Sequence, residues 1–289
     1  MPRFVKRTLC CGALALVATL AAAGTPRDVR TFTVVYGPDA RQSFDVYAPS
    51  DATEAPIIFM VHGGAWIIGD KSNRRTVDNK VAHWVPRGFV VISANYRMLP
   101  DADPLEQARD VARAVAAVQR EARTWGADAD KLVLMGHSAG AHLVTLLAAS
   151  PELRAEAKLA PWLGTVSLDT GTHDVVATME RPHPRLYDRA FGNDPKFWRE
   201  VSPLAQLERG AAPLLLVCST RRSDSCPQGD ALAAKARELG IRAEVLGKDF
   251  SHAEINALLG EEPVYTAAVD EFLASLDAAM AARLNAHAP

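Results

Sequence analysis

The sequence is short of cysteine, carries no surplus of either charge and contains no internal repeat. Four cysteines in 289 residues are too few for a fold held together by a dense disulfide framework. The 32 basic and 34 acidic side chains leave a formal net charge of −2, and no basic run makes the electrostatic footprint of a nucleic-acid binder. No repeat or low-complexity segment interrupts the chain beyond its first two dozen residues, which excludes a solenoid. The longest apolar stretch, Leu9 to Ala23, falls short of the ~20 residues that a membrane span needs.

What is present suits one large domain: 48% of residues are hydrophobic and 23% charged. Arg3, Lys6 and Arg7 precede the N-terminal apolar stretch, which closes on Ala21, Ala22, Ala23 and Gly24. This is the pattern of a cleaved secretory signal over residues 1–24. It predicts a secreted or periplasmic mature chain over 25–289 with no membrane anchor left after cleavage. Cys218 and Cys226 then remain as an even pair, and in an oxidising compartment they are expected to be bonded.

Short apolar runs alternate with segments of helical period, the arrangement of a mostly parallel α/β sheet. Thr31–Tyr36 and Ser43–Tyr47 read as two opening antiparallel strands. Ile57–Val61, Phe89–Ala94, Lys131–Met135, Thr165–Leu168 and Pro213–Val217 read as strands buried on both faces, with Arg242–Leu246 as a weaker last one. Leu105–Arg123, Ala139–Ala149, Asp230–Leu239 and Pro263–Arg283 read as helices. His173–Glu200, rich in proline, charge and aromatics, has no clear period and is read either as a cap or lid over a site or as a solvated excursion.

Gly136-His137-Ser138-Ala139-Gly140 fits G-x-S-x-G, with an apolar strand before it and a helix after it. That context marks a nucleophile elbow, in which a tight turn lifts the serine hydroxyl above the sheet edge. Serine needs a base, and of eight histidines His252 is favoured, because it follows the last strand in a loop at the same sheet edge. The acid that orients it falls between nucleophile and base in the chain. Asp224, in the loop after Pro213–Val217, is the first choice. Asp230 is the main rival, though an N-cap explains it, and Asp169 and Asp174 follow an earlier strand. His62-Gly63-Gly64-Ala65-Trp66 follows Ile57–Val61, where backbone amides of Gly64, Ala65 and Ala139 are expected to form an oxyanion hole.

With these residues the chain resembles the α/β-hydrolase family. His62-Gly63-Gly64-Ala65-Trp66 is similar to the HGGxW group, which includes hormone-sensitive-lipase-like carboxylesterases and kynurenine-formamidase-like hydrolases. Ser93-Ala94-Asn95-Tyr96-Arg97, Gly136 to His142, and His252 before the last helix match as well. The resemblance spans roughly Thr31 to Leu276 and implies an eight-stranded sheet, a Ser-Asp-His triad, no metal and no organic cofactor. Ala65 departs from it where many family esterases carry a third glycine, and Arg221, Arg222 and two cysteines make an unusual acid loop.

The expected activity is carboxylic-ester hydrolysis through an acyl-enzyme, on a small-molecule or polymeric substrate. Amide hydrolysis, as by a formamidase or a depolymerase, would use the same machinery. A non-catalytic binding protein on this fold would be expected to have lost a triad residue, and none is missing. Trp66 and Arg222 are the candidate substrate-binding residues, with a place in the core an equal reading for Trp66. Arg181, Arg185, Arg189, Lys196 and Arg199 would favour an anionic substrate if they converged on the cleft, but a solvated surface is the plainer reading.

Overall fold

The protein is described by a computed structural model covering Met1 and residues 28–286. Residues 2–24 of the expected signal sequence lie outside the described residues. Eight strands form one sheet: β1 (Val29–Val35), β2 (Ser43–Pro49), β3 (Ala55–Val61), β4 (Val90–Ala94), β5 (Ala127–His137), β6 (Gly164–Leu168), β7 (Leu214–Ser219) and β8 (Ala243–Lys248). Their order across the sheet is β1-β2-β4-β3-β5-β6-β7-β8. The first two pairings, β1 with β2 and β2 with β4, are antiparallel, and all others are parallel. The expected α/β-hydrolase sheet is therefore present strand for strand.

The apolar runs are continuous because successive side chains feed two separate cores. Ile57, Phe59 and Val61 of β3 join Leu132 and Leu134 of β5 under the helices Pro104–Glu121 and Ala139–Ala149. Ile58 and Met60 join Val133 and Met135 on the opposite face, under Arg74–Trp84 and Pro263–Leu276. A strand covered on both faces has no solvent side to mark with polar residues. All eleven residues of Ala139–Ala149 are buried, and all but His142 and Thr145 are apolar or glycine, as suits a helix covered on every side.

Three helical expectations are corrected. The segment read as Leu105–Arg123 is an α-helix over Pro104–Glu121, capped by Asp103, followed by a 3₁₀ turn at Ala122–Trp125. The segment read as Pro263–Arg283 breaks at Asp277, whose carboxylate caps a second helix, Ala278–Asn285. Asp230 does not open a helix: Ser225–Glu238 begins five residues earlier and carries it on an exposed interior turn. The aperiodic stretch 173–200 holds three helices of five to seven residues, Val175–Met179, Arg185–Phe191 and Pro195–Glu200. Helices of one or two turns are too short to show a period.

One buried cation ties the sheet face to the loop after β8. Lys80, on Arg74–Trp84, is fully buried and its Nζ donates to the carbonyl and the Oδ1 of Asn256, at 2.7 and 3.0 Å. Asn256 belongs to the short helix His252–Ala257, so this clamp holds the element on which His252 sits. Burial pushes the Lys80 ammonium down to about 7. The folded chain then binds fewer protons than the unfolded one between pH 7 and the ordinary lysine range, so this group makes stability rise with pH across that window. Lys80→Met removes the contribution. Urea melts between pH 7 and 9.5 are expected to show the wild type gaining stability relative to the variant, by up to ~1.4 kcal/mol per pH unit; a constant difference would contradict this.

Candidate active site

Ser138 stands where β5 meets the helix Ala139–Ala149, at φ 56° and ψ −119°. A non-glycine residue held at positive φ is strained, and such strain persists only where the surroundings dictate it. Here two glycines do so. A Cβ at Gly136 would lie 2.3 Å from the Gly140 carbonyl oxygen, and one at Gly140 would lie 2.3 Å from that of Val61. Strand, turn and helix can cross this closely only without those side chains. The Ser138 amide donates to the Leu168 carbonyl at 3.0 Å, and the Asp169 amide to that of Val217 at 2.8 Å. These bonds carry the parallel ladder one step past the ends of β5 and β6. Ser138 and Asp169 thus share one sheet edge.

His252 opens its helix behind Ser251, whose hydroxyl and Glu254 form a reciprocal capping box. The ring of His137 lies 4.5 Å from that of His252, tilted by 36°, and its Nε2–H donates to the His252 carbonyl at 2.9 Å. The chain neighbour of Ser138 therefore fixes the backbone of His252. Burial, then the nearby His252, pushes His137 down to about 3, so it stays neutral and structural.

The partner of His252 is Asp169, not Asp224. Asp169 Oδ2 lies 2.5 Å from His252 Nδ1 and 2.9 Å from an Arg222 nitrogen, Nη1. Its Oδ1 accepts from the Ser219 amide at 2.8 Å and, more closely, from the Ser225 hydroxyl. Burial alone would raise this carboxyl, yet the bonds from His252, Ser225 and Ser219 with the Arg222 charge hold it well below the usual carboxylate range. Asp224 instead spends both oxygens on Arg222, at 3.1 and 2.9 Å. It stands at the start of Ser225–Glu238, and the guanidinium intervenes between it and the Asp169–His252 pair. Chain order admits both aspartates. What separates them is that Asp169 follows the buried strand β6 directly, whereas Asp224 lies five residues past the end of β7.

Arg222 and Trp66 also differ from expectation. The Arg222 guanidinium is taken up by two carboxylates and is not free to meet an anionic substrate. Trp66 is 3% exposed. Its Nε1–H donates to His142 Nδ1 at 3.3 Å, and its ring meets Phe191 at 4.9 Å and Tyr187 at 6.1 Å. His142, pushed down to about 4 by burial, donates its Nε2–H to the Val201 carbonyl. Trp66 is thus a pin joining the glycine loop to the elbow helix and to the 173–200 excursion, rather than the wall of an open pocket. Arg181, Arg185, Arg189, Lys196 and Arg199 are all exposed, which is the solvated surface.

The glycine loop lies against the nucleophile: a Cβ on Gly63 would fall 2.8 Å from that of Ser138. Ala65 and Trp66 follow at φ 53° and 60°. Among the described residues, the amides of Gly64, Ala65 and Ala139 donate to no protein acceptor. Cys218, at the end of β7, is bonded to Cys226 in the first turn of Ser225–Glu238, as expected, and closes the loop that carries Arg222. No group of three or more metal-ligating side chains occurs among the described residues.

Because the elbow depends on bare backbone crossings, Gly140→Ala is expected to lower stability by about 2–3 kcal/mol, the overpacking range. Denaturant melts check this, and a variant with wild-type stability would contradict the crossing geometry.

Comparison with known proteins agrees with this architecture. The family model described as BD-FAE matches residues 44–228. An isoprenylcysteine alpha-carbonyl methylesterase, ICME, of Arabidopsis thaliana is 32% identical over 128 residues, 43% of this chain and 29% of that protein. Esterase LipC of Mycobacterium tuberculosis is 27% identical over 213 residues, 68% of this chain and 52% of that protein. The chain therefore spans less than two thirds of either relative. The crystal structure of esterase B from Lactobacillus rhamnosis superposes with a TM-score of 0.70 at 20% identity, covering 91% of this chain and 90% of that one; this likeness concerns the fold. With the family model matching more than half of its length, the chain belongs to the BD-FAE family, within the α/β-hydrolase class.

Proposed function

We propose that the protein is a carboxylic-ester hydrolase in which Ser138, His252 and Asp169 act together through an acyl-enzyme. The observation that carries this reading is the short bond from His252 Nδ1 to the buried Asp169 carboxylate, beside a serine on a strained elbow. Asp169 fixes the tautomer: with Nδ1–H given to the carboxylate, Nε2 is left bare to accept the Ser138 proton. The Ser138 oxygen attacks the ester carbonyl, and His252 passes the proton on to the departing alcohol. Water then repeats the sequence on the acyl group. Amides of Gly64, Ala65 and Ala139 receive the charge that develops on the carbonyl oxygen. Relatives named as esterases favour esters over amides as the substrate class. The Cys218–Cys226 bond supports a secreted or periplasmic setting, since such bonds persist where the surroundings are oxidising.

Hydrolysis of short-chain nitrophenyl esters tests the assignment. Ser138→Ala is expected to lower kcat by at least ~10⁴-fold. Asp169→Asn, which leaves the shape but offers the wrong hydrogen-bonding face to His252, should lower it by ~10³–10⁴-fold. Wild-type rates in Ser138→Ala would overturn the mechanism. An Asp224→Asn variant as inactive as Asp169→Asn would return the acid to the β7 loop.

A further inference from the structure

Arg222 is a cation in direct contact with the pair that must itself become more positive during turnover. Its Nη1 lies 2.9 Å from Asp169 Oδ2 and 2.9 Å from His252 Nδ1. Nδ1 cannot both donate to Asp169 and accept from Arg222. The 2.5 Å distance to the carboxylate decides for donation, because charge-assisted bonds of this length are the strong ones. Arg222 therefore gives its hydrogen to Asp169 and stands beside the imidazole without bonding to it. Alone, that charge would oppose the imidazolium that forms when Ser138 is deprotonated. It is not alone: Asp224 takes its other side through Nε and Nη2, at 3.1 and 2.9 Å.

We propose that Arg222 is a positioning residue for Asp169 and that Asp224 acts only through Arg222, cancelling its charge so that the developing imidazolium still faces one net negative charge. This rests on the Ser138–His252–Asp169 reading above. Charge arithmetic supports it. Asp169 and Asp224 against Arg222 leave a net −1, which the imidazolium brings to zero. Without Asp224 the cluster is neutral, and the imidazolium would make it a net cation around a fully buried carboxylate. The seat of Arg222 is built for the purpose. The Cys218–Cys226 bond closes its loop, and a Cβ on Gly171 would lie 2.3 Å from Asp224 Oδ2 and 3.1 Å from Arg222 Nη2. The β6 loop thus lies against this pair, and a side chain at 171 would have to displace its terminal atoms.

Coupling between the two residues is the signature that sets this apart from two independent structural roles. The measurements are kcat and KM on a nitrophenyl ester, with thermal melts of every variant and with Ser138→Ala and Asp169→Asn as controls. Asp224→Asn is expected to lower kcat about tenfold with KM within about twofold of wild type. Arg222→Met should also lower kcat, because Asp169 loses a brace, and Arg222→Lys should recover part of the loss. In the Arg222→Met background, Asp224→Asn is expected to cost less than about twofold. Where Arg222→Met fails to fold, Arg222→Gln serves in both backgrounds. An equal cost of Asp224→Asn with and without Arg222 would overturn the proposal. So would an Arg222→Met variant with wild-type kcat and a raised KM, the behaviour of a substrate contact. Controls that stay active would instead overturn the underlying triad.

Discussion

A single buried carboxylate organises this active site. Asp169 is wholly inaccessible to solvent, and an isolated charge there would be costly by several kcal/mol. It is tolerable because four donors converge on it: a backbone amide at the end of β7, a hydroxyl in the first turn of Ser225–Glu238, the His252 ring after β8 and the Arg222 guanidinium. Each comes from a different place in the chain. The carboxylate can stay ionised only when β6, β7 and β8 have their final order and register. The negative charge that the proposed chemistry needs behind His252 is thus also a requirement of the fold.

The other half of the site is held by contact rather than charge. Ser138 is forced into its turn by the bare backbones of Gly136 and Gly140, and the glycine loop presses on it from β3. Trp66 fastens that loop to His142 on the elbow helix and to Phe191 in the excursion. The excursion is consequently part of the packed structure, with Val175, Ala190 and Phe191 buried, while its charged side chains face solvent. His137 joins the two halves by bonding the carbonyl of His252. His137 and His142, both held neutral by desolvation, serve as struts, while the more exposed His252 is the histidine proposed to move a proton.

Much of this was legible in the sequence. Two-sided burial of β3 to β7 leaves continuous apolar runs, and a nucleophile elbow leaves glycines flanking serine between strand and helix. The glycine loop and the His252 loop follow strands in the right order. The acid was misplaced for a physical reason. Chain order places both Asp169, directly after β6, and Asp224, five residues past β7, between Ser138 and His252, but does not show that an arginine stands in front of Asp224. Arg222 was visible as an odd residue in an acid loop and was assigned to substrate; in space its charge is already claimed. For Trp66 the sequence leaves pocket and core open, and only three-dimensional packing decides for the core, with the ring covered by Tyr187 and Phe191. The short helices of 173–200 and the break at Asp277 escaped because one or two turns leave no period to read.

The most direct test of the account is covalent trapping by a nitrophenyl alkyl phosphonate, followed by intact and peptide mass spectrometry of wild-type, Asp169→Asn and Asp224→Asn proteins. One adduct per wild-type chain is expected, on the peptide containing Ser138. Labelling should be slowed far more by Asp169→Asn than by Asp224→Asn. An adduct on another residue, or labelling of Asp169→Asn at the wild-type rate, would contradict it.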